Sequence, residues 1–213
     1  MSRFVYFLAL LLVAPCCAQR LGFGVKGGVR VSEDLDQDSW AEVESKRYVV
    51  GPMVELGLPW RFSIEVDALY RRSGFTTSTS SVGGAYSSRY RANTWEFPIL
   101  LKYGLPVPFA RPYVEVGYAA RHMSGRYTTN GYTVSIPTGE RTPYTTSDDW
   151  KPDASHGVVT GAGVEIGSGH WRIAPEMRYT RWNNDPIGIY GSRGYSANAA
   201  RNQVELLVGI SWR

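Results

Sequence analysis

Residues 95–103 read Trp95-Glu-Phe-Pro-Ile-Leu-Leu-Lys-Tyr103. Trp95, Phe97, Ile99, Leu101 and Tyr103 are all apolar or aromatic, and the positions between them hold Glu96, Pro98, Leu100 and Lys102. A two-residue period of this kind marks a β-strand with two unlike faces. The uncharged face starts and ends on an aromatic ring. Both charges, one of each sign, lie on the other face.

The same pattern recurs along the chain. Eight stretches alternate in this way: 21–31, 47–58, 62–71, 94–103, 112–122, 158–166, 171–179 and 203–212. Turn-forming sequence separates them, and the connections alternate in length. Segments 59–61, 104–111 and 167–170 are short, while 32–46, 72–93, 123–157 and 180–202 hold 15, 22, 35 and 23 residues. An up-and-down meander with that alternation carries its tight turns at one end and its long loops at the other. Strands of this length suffice to cross a bilayer when tilted.

No Asp, Glu, Lys or Arg falls on the apolar face of the eight segments. The opposite face carries Lys26, Arg30, Arg47, Arg71, Lys102, Arg121, Arg172 and Arg178 against Glu55, Glu65, Asp67, Glu96, Glu115, Glu165, Glu176 and Glu205, eight of each sign. In a soluble lipocalin-like barrel that face would meet water; in a membrane barrel it turns inward. Three observations favour the membrane. Nine glycines (Gly22, Gly24, Gly28, Gly51, Gly57, Gly117, Gly161, Gly163 and Gly209) share the charged face, against Gly27 alone on the other, and glycine makes room inside a narrow barrel filled by long side chains. The charges balance, as ions withdrawn from water require. The aromatic residues fall into two bands, Phe62, Tyr103, Trp171 and Trp212 near the short turns and Tyr48, Tyr70, Trp95 and Tyr179 near the long loops, matching two membrane–water interfaces. Pro52, Pro98 and Pro175 interrupt strands in which an N–H is needed, so each is expected to carry a bulge or a local register break.

Outside the strands, Arg3, the apolar run Phe4 to Val13 and the segment Pro15-Cys-Cys-Ala18 read as a signal peptide cleaved after Ala18. Residues 1–18 are then the signal, 19–213 one barrel domain, and both cysteines leave on export; lipoprotein processing at Cys16 or Cys17 is the alternative. The chain has 213 residues, with 43% hydrophobic residues, 23 cations and 19 anions. Its mean hydropathy is −0.24. With no long apolar run beyond the first 18 residues, a helical-bundle membrane protein is excluded. So small a basic excess does not imply nucleic acid.

The segments Trp95 to Tyr103, Pro112-Tyr-Val-Glu-Val-Gly117, Gly157-Val-Val-Thr-Gly-Ala-Gly-Val-Glu165 and Arg172-Ile-Ala-Pro-Glu-Met-Arg-Tyr179 resemble the strand motifs of the bacterial outer-membrane β-barrel domain family, in its broad OmpA/OmpX-like group. The resemblance implies that termini and short turns face the periplasm and the four long loops face outside. Val204 to Trp212 is similar to the terminal signal such proteins present to the outer-membrane barrel assembly machinery, with Arg213 following the last aromatic residue.

Chemistry is sparse. Asp153, Ser155 and His156 cluster near the long-loop end, with His122 at the same level on the adjacent strand. Neighbours in sequence do not make a triad, which needs spatial convergence, so these read as polar loop residues. The first long loop holds Glu33, Asp34, Asp36, Asp38, Glu42 and Glu44. Three of them alternate as in a calcium loop, but Ser39 and Ser45 stand where Gly and the bidentate Glu belong. Tyr127, Tyr132, Tyr144 and Trp150 in the longest loop suit either adaptable contacts to another surface or plain solvent exposure. Gly83-Gly84 and Gly191 to Gly194 read as turns.

The residues thus predict an all-β fold, an eight-stranded antiparallel up-and-down transmembrane β-barrel in the outer membrane. A structural or surface-interaction role without catalysis, metal or cofactor follows. Expected partners are outer-membrane lipid and lipopolysaccharide, the assembly machinery and an extracellular ligand at the long loops. The alternatives are a narrow channel or lateral pathway for small solutes, and a lipid-modifying enzyme.

Overall fold

The computed structural model describes residues 21–32, 42–43, 47–107, 110–150, 154–183, 189–190, 196–197 and 201–213. The signal segment, Asp153, the residues of the acidic loop other than Glu42 and the Gly191 to Gly194 cluster lie outside them. Eight strands form the barrel: β1 (Leu21–Arg30), β2 (Tyr48–Gly57), β3 in two pieces (Phe62–Asp67 and Leu69–Ser81), β4 (Gly84–Gly104), β5 (Arg111–Val134), β6 (Ser155–Ser168), β7 (Trp171–Trp182) and β8 (Asn202–Trp212). Each pairs antiparallel with its sequence neighbour, and β1 with β8 closes the ring. The only helical element among the described residues is the turn Pro59–Arg61.

The registers fix the barrel's shape. From Trp212 the paired residues run through Phe23, Val54, Val66, Ile99, Tyr118, Val158 and Arg181 and return to β8 at Asn202, ten residues from the start. A stagger of that size on eight strands tilts them by about 40° and leaves an interior that side chains fill.

No proline shifts the register. Ala68, opposite Pro52, separates the two pieces of β3, and its N–H donates to the Pro52 carbonyl at 3.0 Å. Pro52 has no N–H to return, so one rung is lost, yet Met53↔Asp67 and Val50↔Tyr70 keep one frame on either side. The β3–β4 ladder lapses likewise beside Pro98, and the β6–β7 ladder beside Pro175, with the frame retained. The expected bulges are therefore replaced by simple gaps, because the rungs on both sides hold the strands in step.

Lipid-facing residues are open along the wall: Phe23, Val25, Ile99, Val116 and Ile210 are all exposed. The aromatic pairs Phe62 and Tyr70, Trp95 and Tyr103, and Trp171 and Tyr179 each span eight residues of one strand. At ~3.4 Å per residue and a tilt of about 40° they stand roughly 20 Å apart in height, close to the apolar band of such barrels. At the short-turn end Phe62 packs on Tyr103 at 5.0 Å, and at the other end Tyr70 packs on Trp95 at 5.2 Å. Trp212 lies opposite both Phe23 and Trp171. Tyr48 is exposed opposite Val29.

Two of the predicted long loops are instead mostly strand. β3 and β4 continue past the upper aromatic band as an unbroken hairpin closing at Val82-Gly83, and β5 runs on to Val134 and pairs with a further strand, Arg141–Trp150. With Glu42–Val43 on the edge of β3, these segments form a sheet projecting beyond the membrane. Their Thr, Ser and Tyr residues have good strand propensity but, apart from the buried Phe75 near the base, no apolar–polar contrast, since both faces are largely polar.

Candidate functional site

Because side chains alternate along each strand, the charged positions of the eight strands converge in the lumen. Lys26, Arg30, Glu55, Glu65, Asp67, Glu96, Lys102, Glu115, Arg121, Glu176, Arg178 and Glu205 are all buried there, and Arg71 with them. Glu165 and Arg172 are half-buried at the short-turn mouth, with Arg172 Nη1 2.7 Å from Glu165 Oε2. Arg47 departs from the interior reading. It precedes β2, is exposed at the upper rim, and meets the barrel through its carbonyl, which accepts the Arg30 N–H at 2.8 Å.

The centre of the lumen is one ion cluster. Arg178 on β7 reaches Asp67 at 3.0 Å, Glu115 at 3.2 Å, Glu176 at 2.7 Å and Glu65 at 3.5 Å. Lys26 Nζ donates to both Glu176 oxygens at 3.0 Å, lies 3.5 Å from Asp67 and pairs with Glu65, which also pairs with Lys102. Tyr113 Oη donates to Glu176 Oε2 at 2.7 Å. Four carboxylates are thus held by three cations from five strands. Glu65, Glu115 and Glu176 bring oxygens within 4.8 Å of one another, a spacing compatible with a cation, but Lys26 pairs with Glu65 and Glu176 and Arg178 with all three, and Glu115 Oε2 is buried without a hydrogen-bond partner.

Above this cluster the lumen is partly apolar, which charge counting missed. Leu100, Ala119, Val159 and Trp182 form one buried group, and Val49, Leu69 and Leu207 another. A second polar layer follows. Arg71 Nε lies 3.1 Å from Glu96, and Gln203 Nε2 donates to Glu96 at 3.0 Å and Glu205 at 2.7 Å. Trp182 Nε1 donates to Gln203 at 2.9 Å, and the Arg121 guanidinium sits 4.1 Å over the Trp182 ring. Below the cluster a cavity of about 690 Å³ is lined by turn-end residues including Arg61, Phe62, Leu105 and Arg111, and reaches inward as far as Lys26, Glu65 and Lys102. Arg213 turns its side chain into this mouth, pairing with Glu55 and lying 3.2 Å from Glu165.

The glycines serve two purposes. Gly163 faces Tyr113, where an added Cβ would sit 2.5 Å from the hydroxyl, so its lack of a side chain gives that ring its place. At Gly117 the obstacle is the backbone of Ile99 on the next strand, a close approach of strands that interior room does not explain.

The histidine and serine candidates are not brought together. Ser155 is buried and accepts from Arg121 Nη2 at 3.2 Å, while the next residue, His156, turns to the other face and stacks on Tyr118 at 5.8 Å. His122 is exposed beside Trp95, its ladder partner. Adjacent strand residues point to opposite faces, which separates Ser155 from His156 by construction.

On the projecting sheet, Phe75, Tyr90 and Tyr127 lie side by side on three strands, with ring centroids 4.5 and 5.6 Å apart. Burial between these neighbours pushes the Tyr90 hydroxyl above its ordinary pKa, with Tyr127 and Tyr86 adding to the effect. Tyr132 lies under Arg141 at 5.0 Å and Tyr144 is exposed.

No curated protein matches the chain. Among solved structures it is similar to Neisserial surface protein A, with 8% identity over 90% of this chain and 95% of that one and a TM-score of 0.41. It is also similar to the N-terminal β-barrel domain of Pseudomonas aeruginosa OprF, with 11% identity, 92% and 100% coverage and a TM-score of 0.38. The attachment invasion locus protein Ail of Yersinia pestis gives 12% identity, 91% and 97% coverage and a TM-score of 0.35. The family model of the outer membrane protein beta-barrel domain matches residues 5–202, and the chain therefore belongs to that family of outer-membrane barrels.

Proposed function

We propose that this barrel is a non-catalytic, non-conducting anchor that holds a β-sheet at the cell surface for contact with another molecule. The observation that carries the reading is the continuity of β4 and β5 from the lipid-spanning wall into the projecting sheet, an unbroken ladder from Gly104↔Tyr113 to Gly84↔Thr133. A wall built to conduct or to catalyse has no need of that extension, whereas a wall that presents a surface does. The ion cluster supports the same reading, since Arg178 and its carboxylates fill the lumen at the depth where a passage would have to run. The separation of Ser155 from His156 on opposite faces of β6 supports a role without acyl transfer. Export through a cleaved signal at residues 1–18, folding by the barrel assembly machinery and a lipopolysaccharide surround complete the proposal. The test is purified protein in planar bilayers and sealed liposomes, beside expression in cells. The expected result is no unitary conductance, no solute-driven liposome swelling and an unchanged lipid profile. Steady conductance, or altered lipid A or phospholipid acylation, sinks it.

A further inference from the structure

The projecting sheet has two chemically different faces. Unbroken registers carry the lumen-facing series of β3, β4 and β5 outward onto its inner face, and the strand Arg141–Trp150 adds its even-numbered residues. From the row of Ser73, Ala92 and Gly125 to the tip, the polar side chains of that inner face are Ser, Thr and Tyr, with Asp148 the single ionic one among the described residues. Arg72, Arg89, Arg91, Arg126 and Arg141, with Glu42 and Asp149, all stand on the outer face, which continues the lipid-facing wall.

The two faces also differ in how far they satisfy themselves. On the outer face Ser78 Oγ donates to Ser87 at 3.2 Å, Thr145 Oγ1 to Asn130 at 3.0 Å and Ser147 Oγ to Thr128 at 3.2 Å, and Arg126 pairs with Asp149 at 2.9 Å. On the inner face Ser88 and Thr129 share the one cross-strand side-chain hydrogen bond among the described residues, at 2.8 Å. The hydroxyls of Thr77, Thr146, Tyr86, Tyr90, Tyr127 and Tyr144 bond to no other described group.

These hydroxyls frame a shallow trough. Tyr90 and Tyr127 stack face to face beside Phe75, so their row presents ring edges and hydroxyls. Four residues further along the strands, about 14 Å, Tyr86, Gly131 and Tyr144 form a second row. A Cβ added at Gly131 would sit 2.9 Å from Tyr144 Cζ, so that ring lies over the glycine. Ser88, Thr129 and Thr146 make the floor between the rows.

A surface of unpaired hydroxyls suits a ligand made of hydroxyls. Each Ser, Thr or Tyr group can both donate and accept, as each sugar hydroxyl does, and aromatic rings take the C–H faces of a pyranose. An apolar ligand would cover these groups without pairing them, at a cost for each. An anionic one would meet Asp148 and no cation. We infer that the inner face of the projecting sheet binds an uncharged oligosaccharide from outside the cell, laid across the strands over Ser88 and Thr129 between the Tyr90–Tyr127 row and the Tyr86–Tyr144 row. Four strands give it about 14 Å of contact. The lipopolysaccharide around the barrel abuts the opposite, arginine-bearing face, so the ligand is a glycan of the surroundings. The inference rests on the reading of the sheet as a contact surface held outside the cell, and it names the class of molecule contacted.

The test uses the full exported chain in phosphatidylcholine nanodiscs, with heat-modifiable gel mobility reporting the folded barrel in every sample. Binding is measured to immobilised hexasaccharides of glucose, galactose, mannose and N-acetylglucosamine, to a sulfated glucose hexasaccharide and to lipopolysaccharide from the same cells. Binding of at least one uncharged hexasaccharide is expected, tighter than that of the sulfated form. Tyr90→Phe/Tyr127→Phe keeps the ring stack and removes two hydroxyls, and should weaken it about tenfold. Arg91→Gln on the outer face should leave it unchanged. A folded barrel that binds none of the four uncharged sugars overturns the ligand class, and an unaltered Tyr90→Phe/Tyr127→Phe protein overturns the site. Tighter binding of the sulfated sugar, lost in Arg91→Gln, moves the contact to the outer face and overturns the inference as well. Preference for the cells' own lipopolysaccharide overturns the outside source. Failure of the surface reading is distinguishable from all of these, because Val82→Cys would then be closed to impermeant maleimide in intact cells.

Discussion

Arg178 Nη1 and Asp67 Oδ2 lie 3.0 Å apart across the full width of the lumen, one on β7 and the other on β3, four strands away on a ring of eight. The contact ties opposite walls together, so the barrel is braced through its centre as well as along its seams. Replacing Arg178 with Met leaves Glu65, Asp67, Glu115 and Glu176 facing Lys26 and Lys102 alone. The expected cost is about 3–5 kcal/mol, the usual result of orphaning a buried ionic partner, read by urea unfolding in lipid vesicles. Adding Glu176→Gln should recover part of it. A loss within about 1 kcal/mol would mean that the hydrogen-bonded wall alone carries the barrel.

Gly163→Ala places a methyl group 2.5 Å from the Tyr113 hydroxyl and 2.8 Å from the Pro175 carbonyl oxygen, so the ring must leave Glu176 and the neighbouring strand must also give. A loss of about 1–3 kcal/mol is expected for an overfilled interior. In a double-mutant cycle with Tyr113→Ala the two changes should couple by roughly 1 kcal/mol or more. Additive losses would show that the substitution acts on the strand and not on the ring.

Fluorescence separates the two faces of the wall. In variants retaining a single tryptophan, brominated lipid should quench Trp95, Trp171 and Trp212, which are exposed on the lipid face, and leave Trp182, which is buried under Arg121, at full intensity. Strong quenching of Trp182 would invert the face assignment of β7.

The orientation is open to chemical labelling. Val82 at the tip of the β3–β4 hairpin and Trp60 in the short turn are both highly exposed, at 90% and 87%. In intact cells a membrane-impermeant maleimide should modify Val82→Cys at once. Trp60→Cys should react only after the outer membrane is opened. The reverse order would place the projecting sheet in the periplasm.

The lipid-facing half of each strand was legible because nothing but alternation is needed to see it, and the charged half followed from the same frame. What escaped has two causes. Leu100-Leu101, Val158-Val159 and Leu206-Leu207 are apolar doublets; one member of each had to face lipid, and the other gave no sign that it enters the lumen, where Leu100, Val159 and Leu207 are buried. Trp182 and Gln203 sit where alternation fades. Thr180 and Arg181 are polar on both faces, so the alternation stops at Tyr179 although the inward series Glu176, Arg178, Thr180 and Trp182 continues. The projecting sheet is the larger miss, since a sheet with polar residues along both sides has no apolar face to announce it.

The unbroken ladder of β4 and β5 also sets a reach. Val134 stands twelve residues beyond His122, about 40 Å of strand, which at a tilt of about 40° lifts the tip roughly 30 Å above the bilayer. With its backbone bonds running straight into the wall, the sheet is a mast of set height. A cell whose surface sugars are shorter than that mast displays the tip to its surroundings, and one that grows longer sugars hides it, so the availability of this surface is governed by the length of the coat around it.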